Sequence, residues 1–316
     1  MSAILSYLLS QTNLPESSIK NTLQLLDEDA TIPFISRYRK ERTGNLDEVQ
    51  IGEIVTYKEQ FEALEKRKAA ILKALKEQEF LTPELKKQIS NTSDLIALED
   101  LYLPYKKTRK TKADTARENG LEPLAKIIMA QNTRDLEAAA VTFQNDTISS
   151  TDDALEGARH IIAEWVNERA DIRNYLRNQL ERHAQIATKV VKSKKDEEKA
   201  QKYKDYFEWD ESLARIPSHR FLALMRAAEE GFIRLKVEID DDKALQNIEN
   251  RIIKSNNASA QQIQMAIADS YKRLLFPALN NESLGAAKEK ADNEAISVFA
   301  KNLRQLLLGS PLGEKR

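Results

Sequence analysis

The 316-residue chain carries 49 Lys+Arg against 50 Asp+Glu, so its formal net charge of −1 gives no global attraction to a polyanion, and any contact with nucleic acid has to come from local patches. It contains no Cys, which excludes disulfides, thiolate nucleophiles and Cys-based zinc sites and makes the cytoplasm the default compartment. Eight Gly and eight Pro are too few punctuators for many short strands, which predicts a mainly α protein of more than one lobe.

"MSAILSYLLSQTNLPESSIK" has Ile4, Leu5, Leu8 and Leu9 on one side but no leading Lys or Arg and no long apolar core, so it reads as an amphipathic helix and not as a secretory signal. No run of about 18 apolar residues occurs, so no membrane span is expected. A second helix is marked by Ile19, Leu23, Leu25 and Leu26. "TIPFISRYRKERTG" then predicts a third, with Pro33 in its first turn and Gly44 past its end. These three form a small bundle. A long helix follows from Asn45, with Leu46, Val49, Ile54, Tyr57, Phe61, Leu64, Ile71 and Leu75 as its apolar stripe and Gly52 weakening its first turns.

Thr82 with Pro83 and Glu84 starts another helix. "SDLIALEDLYLPY" is expected to end in an extended piece forced by Pro104. Thr111 with Asp114 is a capping-box variant, Gly120 is the stop, and "EPLAKIIMAQ" opens the next helix. From Thr151 the pattern predicts one helix of about thirty residues, with Leu155, Ile161, Ile162, Trp165 and Leu176 buried. Lys192 to Lys204 reads as a solvated mixed-charge connector. "FIRLKVEID" alternates Ile233, Leu235, Val237 and Ile239 with charged residues and is a strand, whose expected partner is "ATKVVK", residues 187–192, in a two-stranded antiparallel patch. Two further helices close the chain. The last has Ala295, Val298, Phe299, Leu303 and Leu306 as a stripe expected to pack on something, with Gly309 and Pro311 as its stop, as in an interdomain connector.

Catalytic motifs are missing: there is no Gly-rich phosphate loop, no His pair at metal spacing and no Gly-x-Ser-x-Gly elbow, while the three His residues are scattered at 160, 183 and 219. The acidic run Glu238, Asp240, Asp241 and Asp242 allows a Mg²⁺-dependent phosphodiesterase reading or a solvated turn with an N-cap; the second is preferred, so no metal and no cofactor is expected.

Two basic clusters are more informative. On a wheel at about 100° per residue, Phe34, Ile35 and Tyr38 of "FISRYRKER" share one face. Arg37 and Lys40 lie opposite it and Arg39 beside Ile35, all three either as a solvated face or as phosphate contacts, while Arg42 falls on the apolar side, either extended along the core with its head snorkelling out or held by a carboxylate, with Asp47 or Glu48 as the expected partner. "YKKTRKTK" supplies Lys106, Lys107, Arg109, Lys110 and Lys112 with no acid, beside Tyr102 and Tyr105, a composition that suits a single strand or a solvated loop. In "PSHR", Ser218 is the expected N-cap, and Ser218, His219 and Arg220 make a possible anion site or a plain cap.

"IPFISRYRKERTGNLDE", "LEDLYLPYKKTRKTKADTARENGLEPLA", "IPSHRFLALMRAAEEGFIRLKVEID" and "AISVFAKNLRQLLL", in this order, resemble the N-terminal part of the bacterial Tex family of transcriptional accessory proteins, related to a eukaryotic transcription-elongation factor. The resemblance covers nearly the whole chain. It implies nucleic-acid binding, mainly of RNA, in transcription, a helix-turn-helix-like part, and RNA polymerase or the ribosome as partners. It also implies that an RNase H-like domain, helix-hairpin-helix elements and an OB-type module that carries much of the RNA binding lie outside this chain, which should bind weakly. The expected division is a helical region at 1–186, a small mixed region at 187–258 and a helical connector at 259–316. Where the family often has Arg-Gly, this chain has Arg226 and Ala227. The preferred reading is thus a non-enzymatic nucleic-acid-binding region; the alternative is a protein-interaction scaffold whose basic segments are held in ion pairs.

Overall fold

The computed structural model describes residues 2–106 and 109–309, which are mainly helical with one small antiparallel sheet. The chain divides into two compact units, 1–107 and 108–316.

In the first unit, α1 (Ser2–Gln11), α2 (Glu16–Asp27), α3 (Ile32–Tyr38) and α4 (Lys40–Thr43) gather Leu8, Ile19, Leu23, Leu25 and Ile35 into a core. Leu46 joins them from the loop before α5 (Glu48–Glu77), a helix about 45 Å long at 1.5 Å per residue. Its start is fixed by a capping box between Asp47 and Gln50, which carries the helix through Gly52. Ile51 and Ile54 of α5 complete the first core, and Leu64, Ile71 and Leu75 build a second one with α6 (Pro83–Asn91) and α7 (Leu95–Tyr102). Val49, expected on the stripe, is exposed. Thr82 caps α6 as expected. Pro104 does not force an extended piece: it sits inside a single 3₁₀ turn, Leu103–Tyr105, where its fixed φ fits and its missing N–H is not needed.

The second unit opens with α8 (Lys112–Glu118), α9 (Glu122–Ala130) and α10 (Leu136–Val141), packed on α11 (Thr151–Asn167). Gly157 lets α11 approach closely, because a Cβ there would collide with Leu121. The expected thirty-residue helix is two. It breaks at Glu168 and Arg169 before α12 (Ala170–His183), and the extended Arg169 makes a two-pronged bond to Asp171, at 2.9 and 2.8 Å.

The sheet has three strands, not two: β1 (Gln185–Val190) lies between β2 (Glu208–Ser212) and β3 (Ile233–Glu238), antiparallel to both. The connector between β1 and β2 contains α13 (Glu198–Gln201) and is not merely solvated, since Ala200 and Tyr203 are buried with Ile186, Phe207 and Phe232. One sheet face packs on α14 (Ser218–Glu229) through Phe221, Leu224 and Ala227. Two helices, α15 (Asp241–Ile252) and α16 (Ala258–Ser270), return the chain to the main core beside α11.

After α16 a π turn, Tyr271–Leu275, passes directly into α17 (Phe276–Leu308), so the two closing helices are continuous. Pro277 has no N–H to donate, and the wider turn just before it accommodates that loss. The first half of α17 is held by Leu279 and Ala291. Its second half corrects the expectation of a buried stripe: Val298, Phe299, Leu303 and Leu306 are all exposed, Phe299 at 67%.

Candidate nucleic-acid interface

Segment 34–42 is built by two short helices instead of one. The backbone breaks at Arg39, with φ −129° and ψ 20°, and Gly44 closes α4 in the left-handed conformation with φ +70°. A Cβ at Gly44 would meet the Ser18 hydroxyl, and Asn21 donates to the Arg42 carbonyl at 2.6 Å, so this corner is tied to α2. Ile35 is fully buried, and the Ser36 hydroxyl reaches the Pro33 carbonyl at 3.1 Å.

The aromatic side chains do not anchor this helix. Phe34 is 40% and Tyr38 70% exposed, their rings 5.5 Å apart, and the Arg39 guanidinium lies 5.2 Å from the Phe34 ring. A seven-residue helix with one buried side has room for Ile35 and little else, so the wheel assigned too wide an apolar face. These two aromatics were therefore missed as surface groups; the shortness of the helix before the Arg39 break is the signal that points to them.

Arg37 lies 3.8 Å from Glu48, both exposed, and Arg42 lies 3.8 Å from Glu28, not from Asp47 or Glu48 as expected. Arg39 and Lys40 are exposed and form no ion pair among the described residues. Exposed pairs at such distances contribute about 0–1 kcal/mol, so Arg37 remains available to an anion as well.

The second cluster is placed differently. Tyr102 is buried, 9% exposed, with the Arg67 guanidinium 5.6 Å from its ring and Arg67 in turn bound to Glu99, so it is not a stacking surface. Tyr105 is half-buried, its ring 5.6 Å from that of Phe80. Lys106, Arg109, Lys110 and Lys112 are exposed; Lys107 lies outside the described residues. Lys110 pairs with Glu118 at 2.5 Å. The first turn of α8 is already closed by its own box, with Thr111 and Asp114 exchanging bonds of 2.9 and 3.0 Å. The Thr111 N–H, with the nearby Arg117, holds the Asp114 carboxyl below the usual carboxylate range. An anion here would meet Lys and Arg side chains, not free helix N–H groups.

At 217–220 the structure moves the cap: Pro217, not Ser218, is the N-cap of α14, and Ser218 is its first helical residue. The Ser218 hydroxyl donates to Glu294. Arg220 donates to both oxygens of Glu211, at 2.8 and 2.7 Å, and stacks 5.0 Å from the Trp209 ring, while His219 is exposed. Two of the three groups named for an anion are thus held by carboxylates.

The acidic run is dispersed. Asp240 caps α15 through the Lys243 N–H and pairs with Lys243 at 2.8 Å, which keeps its pKa low. Glu238 pairs with Lys236 at 2.8 Å, and Asp241 accepts from the Tyr271 hydroxyl at 2.5 Å. Among the described residues no group of three His, Asp or Glu is placed to hold a metal, and no helix is long and apolar enough to cross a membrane.

Two family profiles match the chain: the Tex-like protein N-terminal domain over residues 2–76 and the Tex central region-like family over residues 131–299. The chain is similar to the transcriptional accessory protein Tex of Neisseria gonorrhoeae, 41% identical over 98% of this chain and 41% of that protein. It is likewise similar to protein tex of Bordetella pertussis, 35% identical over 99% of this chain and 41% of that protein. A human relative, the S1 RNA-binding domain-containing protein 1, is 30% identical over 96% of this chain and 32% of its own length. The chain therefore spans well under half the length of these relatives.

Proposed function

Since the chain belongs to the Tex family of transcriptional accessory proteins, we propose that it is a nucleic-acid-binding helical region of such a protein, engaging single-stranded RNA or DNA weakly and without catalysis. One observation carries this reading: in the first unit, Arg39 and Lys40 stand exposed without carboxylate partners among the described residues, and Arg39 lies over the exposed ring of Phe34, itself next to that of Tyr38. Cations next to free aromatic faces suit a single strand, whose phosphates meet the charges while its bases stack. The name of the human relative, with its S1 RNA-binding domain, supports the same ligand class. Arg37 flanks this surface, and Lys106 of the first unit and Arg109, Lys110 and Lys112 of the second are further candidate phosphate contacts, each taken by itself. The proposed setting is the cytoplasm, with RNA polymerase or the ribosome nearby.

The test is the salt dependence of binding to a fluorescently labelled single-stranded RNA. Removing one cation that neutralises a phosphate should reduce the log–log slope by about 0.7. Arg39→Ala with Lys40→Ala is expected to flatten the slope, and Arg109→Ala with Lys112→Ala to flatten it again. A slope that neither pair changes removes both segments from the site.

A second reading, a protein-interaction scaffold, is favoured by α17, whose outer half exposes Ile296, Val298, Phe299, Leu306 and Leu307 together. Apolar surface of this extent marks a contact with another protein surface. The Lys110–Glu118 pair also suits it, because that cation is already committed within the chain.

A further inference from the structure

The sheet carries a basic groove that neither candidate segment includes. Because side chains alternate along a strand, Ala187 and Lys189 of β1 share the outer face with Arg234, Lys236 and Glu238 of β3. Together with Lys192, just past β1, they line a groove of about 720 Å³, a size that admits a nucleotide-sized ligand. Ala187 supplies its short floor between the longer neighbours.

The charge distribution is unusual for a solvated sheet face. Lys189 stands directly opposite Arg234 in the antiparallel register, a like-charge juxtaposition that weakens strand pairing. Neither of them, nor Lys192, forms an ion pair among the described residues. On its other side Lys189 faces Glu208 of β2 in register without closing a bridge. The groove's own carboxylate, Glu238, is already bound to Lys236 at 2.8 Å. Four cations and one carboxylate leave a net charge of +3 in a chain whose overall formal charge is −1. The acids of the same sheet face, Glu208 and Asp210, lie on β2, so Glu208 flanks Lys189 while Arg234 and Lys236 stand one strand further away from both acids.

We propose that this groove is a phosphate-binding site in which Lys189, Lys192 and Arg234 converge on the oxygens of a phosphate or phosphodiester group. The negative charge of such an oxyanion, one for a phosphodiester and up to two for a phosphate, relieves the Lys189–Arg234 repulsion and takes charge-assisted bonds from cations that no carboxylate among the described residues bridges. Arg234 offers a planar fork, and Lys189 and Lys192 act as point charges. This site is separate in sequence from the Arg37–Lys40 and 106–112 segments, and its test does not depend on theirs.

The experiment compares the wild-type chain with Lys189→Thr/Arg234→Thr, using inorganic pyrophosphate and a short single-stranded RNA as two probes in calorimetric titration. Threonine is a strand-favouring residue, so the fold is retained. The expected result is binding at least about tenfold weaker for each cation removed, with an unchanged or higher thermal midpoint because the repulsion is gone. Loss with pyrophosphate alone assigns the groove to a small phosphate ligand, and loss with the RNA assigns it to a phosphodiester backbone; both support the site. Equal affinity of wild type and variant for both probes, or no binding of either probe to the wild type, overturns it.

Discussion

Arg39 and Arg220 make an instructive pair. Each lies over an aromatic ring, Arg39 at 5.2 Å from Phe34 and Arg220 at 5.0 Å from Trp209, and each comes from a Ser- and Arg-bearing segment at a helix boundary. Cation–π attraction contributes about 0.5–1 kcal/mol at such sites and does not distinguish them. What differs is one carboxylate. Glu211 binds Arg220 through both oxygens, whereas among the described residues no acid closes on Arg39. An Arg–aromatic pair is thus a structural clasp when a strand supplies an acid and an open surface when none does. The composition of the segment does not decide which.

The first way to break this comparison is to remove the support under the open member. Ile35, between Phe34 and Tyr38 in sequence, is fully buried, and Ile35→Ala should cost about 2–5 kcal/mol by lost transfer energy and cavity formation. Both Trp residues, Trp165 and Trp209, lie in the second unit. The loss should therefore appear in far-UV circular dichroism and leave the tryptophan transition in place, with RNA binding reduced in parallel. Undiminished RNA binding while the first unit loosens would remove segment 34–40 from the site.

A second contrast lies within the acids. Glu211 has a cation, while Glu168, at the break between α11 and α12, has burial and the charge of Glu164 against it and only Arg117 in its favour. Its pKa is pushed up to about 7. The folded chain therefore holds a proton that the unfolded chain releases near its ordinary value of about 4.3. Stability from this group is full below that value and is lost as pH rises through about 7. Glu168→Gln should abolish that loss and be more stable than the wild type by about 1–3 kcal/mol at pH 8, with little difference at pH 4, read from urea midpoints by tryptophan fluorescence. Equal variant and wild-type pH profiles would show that Glu168 is solvated.

What the sequence reveals and what it hides follow from the range of the interactions involved. Gly44, Thr82 and Thr111 were legible as caps because each acts within four residues of its own helix, and the acidic run was legible as a turn with an N-cap, a place that Asp240 fills. Strand β3 was legible from its alternation. Strand β2, "EWDES", was not, because it presents one large apolar side chain, Trp209, and owes its conformation to pairing with β1. The breaks at Arg39 and Glu168 carry no Gly or Pro, and the π turn before Pro277 reverses what that residue ordinarily signals. At the candidate interface the sequence names the cations only as residue types. Their partners, Glu28 for Arg42, Glu211 for Arg220 and Glu294 near Ser218, come from other elements, and only folding brings them there.

The smallest expected effect is the most direct test of the opening comparison. Glu211→Gln keeps the shape of the clasp and removes its charge. Arg220 and Glu211 are each about a quarter exposed, with side-chain values of 28% and 24%, so solvent takes up part of the freed charge and the stability loss should be about 1 kcal/mol. Arg220 then stands over Trp209 as Arg39 stands over Phe34, a cation on an aromatic face without a counter-ion. If the missing acid is what makes such a pair an anion surface, the variant should bind single-stranded RNA more tightly and its log–log salt slope should steepen by about 0.7. If the slope is unchanged while stability falls, the open character of Arg39 arises from the exposed rings of Phe34 and Tyr38, and charge pairing is not the deciding variable.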